Sequence, residues 1–317
     1  MPRAPSHIRA RYRIVGQRGL EKIAESLKRN YFARHYFGES PESYLTSVQG
    51  KEDFEGHLRR RTQDDRVTVI PWLDHARRLE GARILEIGCG TGSASVALAE
   101  QGAQVTAVDI DEPAVQVTRD RCQAYGLEVT ALVLNSSEAA RRFAAERFDF
   151  IIFYASLEHM TYAERLAAMK GTWDLLPEGS LWCVVEAPNR LWYQDGHTSL
   201  LPFFHWLPDD LAFDYSRFSP REGLRADFRE HSEATDHEFL RQGRGVSYHE
   251  FDLAMKPSQE LDVVSSLLDF LRRRSLLWRA KARVDGDRRF EAFLAKVGPP
   301  IHRGFFQPHL DLIIRKD

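Results

Sequence analysis

The sequence predicts a doubly wound α/β fold: a seven-stranded, mostly parallel, Rossmann-like sheet with a helical N-terminal extension and an insertion after the fifth strand. Three observations predict it. From Arg83 onward, short apolar runs alternate with helical segments of about 10–15 residues, the rhythm of parallel strands joined by right-handed crossovers. The first run, RILEIGCG, ends in glycines and leads into a helix, as a ligand-binding strand-to-helix turn does. After the fifth strand, Pro188 to Gly243 is aromatic and irregular, too apolar for a disordered linker and too long for an ordinary loop.

Taken in order, GLEKIAESLKR has helical spacing, a loop surrounds GESPES, and a helical region runs from about Asp53 to Leu79. RILEIGCG is the first strand and SASVALAEQG a helix closed by Gly102. AQVTAVDID is the second strand, EPAVQVTRDRCQAYG a helix ending at Gly126, and LEVTALVLN the third strand. ERFDFIIFYAS is the fourth strand, YAERLAAMKGTWDLL a helix stopped by Pro177 and Gly179, and SLWCVVEAP the fifth strand. GVSYHEFDLAM reads as the sixth strand, ELDVVSSLLDFLRRR as a helix and PHLDLIIRK as the closing strand. The boundaries follow: 1–80 an N-terminal extension or lid, 81–188 the ligand-binding core, 189–244 a substrate-side insertion, and 245–317 the part that completes the sheet.

Composition narrows the function. With 43% hydrophobic and 28% charged residues in 317, the chain can bury a substantial core. A net charge of −2 gives no broad attraction to phosphate backbones, so no nucleic-acid partner is expected. No apolar run approaches the length of a membrane span, and MPRAPSHIRARYRIVG lacks the apolar stretch of a secretory signal. Cys89, Cys122 and Cys183 make neither a metal pattern nor a disulfide framework, and a cytoplasmic location is the simplest expectation.

The central signal is Glu86-Ile87-Gly88-Cys89-Gly90-Thr91-Gly92, with Asp109 closing the next strand 17 residues after Gly92. Dinucleotide enzymes space their glycines G-x-G-x-x-G, whereas Gly88, Gly90 and Gly92 are spaced G-x-G-x-G. An acid at the end of the second strand can accept hydrogen bonds from both hydroxyls of a ribose.

ILEIGCGTGSASVALAEQGAQVTAVDID resembles the first two signature motifs of class I S-adenosylmethionine-dependent methyltransferases, of the small-molecule and ubiquinone-biosynthesis branch. FDFIIFYASLEHM resembles their fourth-strand motif and LLPEGSLWCVVEAPN the helix-turn-strand that follows, so the likeness covers roughly 80–190. It implies S-adenosyl-L-methionine as cofactor. It also implies that Gly88, Cys89, Gly90 and Gly92 form the turn around the methionine part, that Glu86 holds the amino-acid end, and that Asp109 binds the ribose. Ile110 would pack on the adenine and Tyr154 would face the sulfonium. Family members commonly have an acid near the adenine amine, where this chain reads Leu134-Asn135-Ser136-Ser137, so Ser136 is the candidate there.

A hydroxyl acceptor needs a base or a metal, because an unactivated alcohol is a poor nucleophile. His159, beside Glu158 and just past the fourth strand, is the candidate base; the plainer role for the pair is to cap the next helix. The pair also resembles part of the metal-binding signature of ubiquinone-biosynthesis O-methyltransferases. The acid of that signature three residues earlier is here Ala155, and the expectation is no metal. Asp195 and His197 in the insertion are further candidates for catalysis or substrate contact. The aromatics Trp192, Tyr193, Phe203, Phe204 and Trp206 could stack on a saccharide or form a small core of their own. Tyr44, His57 and Arg61 could fold over the site, Arg61 meeting the cofactor's carboxylate. The expected function is O-methylation of a small molecule or saccharide. The alternatives are a methyltransferase for RNA or protein, and a catalytically degenerate partner subunit; an oligomer is possible.

Overall fold

The computed structural model describes residues 11–33, 40–274 and 287–317. The basic N-terminal residues before Arg11, and residues 34–39 of the predicted GESPES loop and the segment before it, lie outside the described residues. The sheet has seven strands: β1 Arg83–Ile87, β2 Gln104–Asp109, β3 Val129–Val133, β4 Phe150–Tyr154, β5 Leu181–Pro188, β6 Asp262–Ser266 and β7 His309–Arg315. Their order is β3-β2-β1-β4-β5-β7-β6. β7 runs against both β5 and β6, while β1 to β5 pair in parallel.

Each parallel strand reads as a near-continuous apolar run because helices cover both faces of the sheet. One face buries Leu85, Phe153, Trp182 and Leu312 with Met169 and Trp173 of helix Tyr162–Leu175. The other buries Ile84, Ile152 and Cys183 with Trp72 and Leu73 of helix Val69–Ala76. The chain reverses its winding between β1 and β4, which opens a crevice at their carboxyl ends.

The predicted sixth strand is a helix, Tyr248–Ala254. Glu250 accepts hydrogen bonds from the N–H and the O–H of Ser247, a capping box that starts a helix where the apolar pattern suggests a strand. The sixth strand lies instead at Asp262–Ser266, inside the stretch predicted as one helix, and helix Leu267–Arg274 follows it directly. Val263 and Val264 favour extended backbone, and β7 provides the partner.

The N-terminal segment folds as helices around a small core of Ile23, Leu27, Phe32 and Tyr44. The predicted helix from Asp53 to Leu79 is broken into Val48–Glu55, a π-turn Gly56–Arg60, Arg61–Val67 and Val69–Ala76. The insertion carries its own short helices, Asp209–Tyr215, Glu222–Asp227 and Glu233–Leu240, around Phe204, Phe213, Phe228 and Phe239.

Candidate active site

A cleft of about 910 Å³ lies at the carboxyl ends of β1, β2 and β4. The turn Gly88–Gly92 forms its floor. Gly88 has φ +83°, and a Cβ there would lie 2.3 Å from Ser156 Cβ, so no larger residue fits without moving β4's end. Gly90 also has positive φ, but the space beside it is open, which leaves the turn's backbone bare toward the cleft. Gly92 caps helix Ser93–Ala99.

Asp109, at the end of β2, accepts from the Gly90 N–H at 2.8 Å and from the Asp111 N–H at 3.0 Å. Burial pushes its pKa up. Glu86 is fully buried; one oxygen accepts from the Ser95 hydroxyl at 2.6 Å and the other has no hydrogen-bond partner among the described residues. Burial raises its pKa to about 7. Cys89 is buried within the turn and its thiol is pushed up for the same reason. Ile110 is exposed on the cleft's lip, and Ser136 lines the adjoining wall within hydrogen-bond reach of the Met160 sulfur. The neighbouring Asn135 carboxamide instead caps its own turn through the Ser137 N–H.

Two buried groups hold the N-terminal helices to this floor: Arg121, which sequence reasoning missed, and His57, which it offered as part of a cover over the site. Arg121 donates to the carbonyls of Thr91 and His57, both at 2.6 Å. Burial lowers its pKa to about 10. The His57 imidazole lies 2.9 Å from Thr91 Oγ1, and burial, with Arg61 and Arg121 nearby, holds its pKa down at about 2, so it is neutral. His57 and Arg61 line the cleft, whereas Tyr44 is buried in the N-terminal core, outside the cleft. Of the three residues expected to fold over the site, Tyr44 is therefore corrected to a packing residue.

Opposite the turn, Tyr154 donates its hydroxyl proton to Asp65, whose pKa burial raises to about 8. Asp311 of β7 accepts the backbone N–H of Glu186, at 2.6 Å, and burial raises it to about 6. Asp65, Glu186, Asp311 and His309 all line the cleft and none was predicted. For Asp311 a signal existed: it is an acid in the middle of the apolar strand HLDLIIR, facing the bulge of β5 between Val184 and Ala187.

His159 and His197 meet at the far end, with ring centres 5.3 Å apart. Glu158 is fully buried behind them, and burial raises its pKa. His197 is held neutral, its pKa lowered to about 4 by burial and by His159. Asp195 does not line the cleft. Its carboxylate accepts from the N–H groups of His197, Thr198 and Ser199 and from the Ser199 hydroxyl, and faces His205 Nε2 at 3.3 Å. Burial alone would raise its pKa; His205 and the turn's N–H groups hold it well below the usual carboxylate range.

None of the five insertion aromatics lines the cleft. Phe204 packs in the insertion's core, and Trp192 packs on Leu294 and Phe306. Phe203 and Trp206 meet each other edge-on at 4.8 Å. Those two rings stay about half exposed while Trp192 and Phe204 are buried, and the expected stacking platform for a saccharide is not built in this cleft.

Residues 84–179 match the family of methyltransferase domains. Residues 84–179 are thus a methyltransferase domain. That domain is 36% identical over 91 residues to a ubiquinone biosynthesis O-methyltransferase of Stutzerimonas stutzeri, covering 29% of this chain and 39% of that protein. It is 32% identical over 147 residues to the enzyme of that name from Ruegeria pomeroyi, covering 46% and 57%. The chain thus spans between about two-fifths and three-fifths of these relatives' lengths. Among solved structures, magnesium protoporphyrin IX methyltransferase of Synechocystis PCC 6803 matches at 23% identity and a TM-score of 0.38, over 56% of this chain and 80% of that one. The methyltransferase domain supplies the glycine turn, Asp109, Ser136, Tyr154 and the Glu158-His159 pair. His57, Arg61 and Asp65, and His197, come from segments outside it. Among the described residues no helix is long and apolar enough to cross a membrane.

Proposed function

We propose that this chain is an S-adenosylmethionine-dependent methyltransferase that methylates a hydroxyl of a small molecule. The observation that carries the reading is the bare glycine turn tied to Asp109, beside a buried Glu86 oxygen that lacks a partner. The residues fit the cofactor. Asp109 keeps lone pairs for the ribose hydroxyls while its N–H bonds fix its position. Glu86 offers its unpartnered oxygen to the ammonium group, Ile110 covers the adenine, and Ser136 offers a hydroxyl to the adenine edge. Arg61, half-exposed at the cleft mouth, suits the carboxylate.

When bound, the cofactor supplies an electrophilic methyl group on a sulfonium. The acids around the cleft, Glu86, Asp65, Glu186 and Asp311, favour a cationic ligand. Tyr154 sits at the end of β4 with its ring fixed by Asp65, shaping the wall where the reacting atoms meet. Activation of the acceptor hydroxyl falls to the imidazole pair. His159 Nδ1 faces the Arg241 carbonyl at 2.9 Å, an atom that only accepts, so Nδ1 carries a proton and the neutral form of the ring offers its lone pair at Nε2. Asp195 positions His197 through the turn rather than touching substrate. The three buried free cysteines suit a reducing, cytoplasmic setting.

The test is methyl transfer from labelled S-adenosylmethionine to a panel of hydroxylated metabolites, with amines, RNA and protein as alternative acceptors. Label on an alcohol or phenol is the expected result. Label only on RNA or protein would favour the macromolecular reading, and binding without transfer to any acceptor would favour a degenerate partner subunit.

A further inference from the structure

We propose that the end of the cleft between β5, β7 and the helix Arg61–Val67 holds the methyl acceptor, and that this acceptor carries a protonated amine beside its hydroxyl. The proposal rests on the methyltransferase reading above, which assigns the other end, at β1, β2 and the segment after β3, to the cofactor. Asp65, Glu186 and Asp311 line the acceptor end together with Tyr154 and His309.

This end is short of hydrogen-bond donors. Asp65 is 5% exposed; one carboxyl oxygen takes the Tyr154 hydroxyl proton, and the other has no hydrogen-bond partner among the described residues. Asp311 accepts the Glu186 N–H on one oxygen, and its other oxygen is free among the described residues. The Glu186 side chain makes neither a hydrogen bond nor an ion pair with any described residue. Glu186 stands at the β5 bulge with φ +61°, a conformation that takes its side chain out of the regular ladder and into the cleft lining. Glu158, fully buried with neither oxygen partnered among the described residues, lies within electrostatic reach of Glu186 and His309. A carboxyl keeps an acceptor oxygen in either protonation state, so the shortage does not depend on which acid is ionised. Buried acceptors are rarely left so.

The arginines of the cleft are engaged elsewhere. Arg241 pairs with Glu164, Arg60 donates to the Glu52 carbonyl, and Arg61 lies 3.9 Å from Asp53, placed for the cofactor's carboxylate. His309 stands among the acids, but burial lowers its pKa and it adds no fixed charge. Burial is the larger cause of the raised pKa values here, yet Asp311 also raises Glu186, and Glu186 also raises Asp65. A neutral hydroxyl would satisfy these oxygens one at a time, whereas a cation is attracted by all of them together. Among the described residues no three of these acids and His309 bring their ligand atoms within 4.8 Å of one another. That spread is too open to wrap a bare metal ion and suits an ammonium group, with its three N–H donors. Tyr154 joins the two ends, its ring toward the sulfonium and its hydroxyl on Asp65. An amine held by these acids therefore sets the acceptor's hydroxyl beside the methyl group and the imidazole pair. The hydroxyl oxygen gains the methyl and loses its proton to an imidazole, leaving S-adenosylhomocysteine, while the ammonium stays protonated.

The test is calorimetry on the full chain loaded with S-adenosylhomocysteine, titrated with two pairs of probes that differ by an amine: tyramine against para-ethylphenol, and glucosamine against glucose. Expected in at least one pair is binding of the amine at least about 10-fold tighter than its neutral partner, with that preference largely lost in Glu186→Gln and Asp311→Asn. Circular dichroism and S-adenosylhomocysteine affinity are measured on each variant; should Asp311→Asn fail to fold, Glu186→Gln, whose side chain is exposed, decides alone. Equal affinities within both pairs, no binding of either amine, or an undiminished preference in Glu186→Gln overturns the proposal. An amine preference on the unloaded chain without S-adenosylhomocysteine binding keeps the ammonium site and refutes the cofactor reading; the converse refutes the ammonium site alone.

Discussion

Asp109 links two structural duties to one ligand contact: its carboxylate fixes the Gly90 and Asp111 amides and still has lone pairs to offer a ribose. Asp109→Ala removes both. With hydrogen bonds to a charged group contributing about 1.5–3 kcal/mol, cofactor affinity is expected to fall roughly 10- to 150-fold by calorimetry. Unchanged affinity would remove Asp109 from the ribose site. His159→Ala makes the opposite pattern: cofactor affinity stays, and the rate of transfer to a hydroxyl falls by about 10²-fold or more. Full turnover in that variant would discard the imidazole pair as the activating group. Both residues were legible in the sequence because Asp109 closes the strand after the glycine turn and His159 stands just past the carboxyl end of β4, where sites in open α/β sheets lie. Asp65 and Arg121 were not, because Asp65 reaches the cleft and Arg121 the backbone of the turn only through packing between distant segments, which no local spacing records.

Among the elements, the join between the N-terminal helices and the glycine turn depends on Arg121, a buried cation that donates to backbone carbonyls. Arg121→Met keeps the bulk but leaves the carbonyls of Thr91 and His57 without that donor. We expect a loss of about 2–4 kcal/mol, which lowers the melting temperature by several degrees; an unchanged melting temperature would contradict the clamp. The strands β1, β2, β3 and β5 were readable because glycines or prolines punctuate them, and β4 because the apolar run FIIFY stands between the charged segments ERFD and SLEH. β6 was not, because no glycine or proline separates DVVSS from LLDFLRRR and the amphipathic helix pattern absorbed the strand. The Ser247–Glu250 capping box was present in the sequence, and it outweighed a strand-like apolar pattern from Gly245 to Met255.

Across the whole molecule, the cleft collects carboxyls that the fold keeps partly protonated. Asp65, Glu86 and Asp311 have pKa values raised by burial to about 8, 7 and 6. Between about pH 4 and 8 these three carboxyls hold protons that the unfolded chain has released; below about pH 6.5 the buried, neutral His57 and His197 act in the opposite sense, so the acids' effect stands alone above it, where stability falls as pH rises. The melting temperature of the ligand-free protein should decline from about pH 6.5 to 8, and Asp65→Asn should flatten that decline. A melting temperature that rises over this range would contradict the assigned burial effects. The same acids should release protons when a cationic ligand enters, more for S-adenosylmethionine than for uncharged-sulfur S-adenosylhomocysteine. Calorimetry in buffers of different ionisation enthalpy reads that difference.

The most direct test of the central claim is isothermal titration calorimetry of the full chain with S-adenosylhomocysteine, using NAD as the control. Both ligands carry an adenosine ribose, but only the first matches a turn spaced as Gly88, Gly90 and Gly92 beside a vacant Glu86 oxygen. The account predicts one-to-one binding of S-adenosylhomocysteine at micromolar concentration and none of NAD. Binding of NAD alone would contradict it.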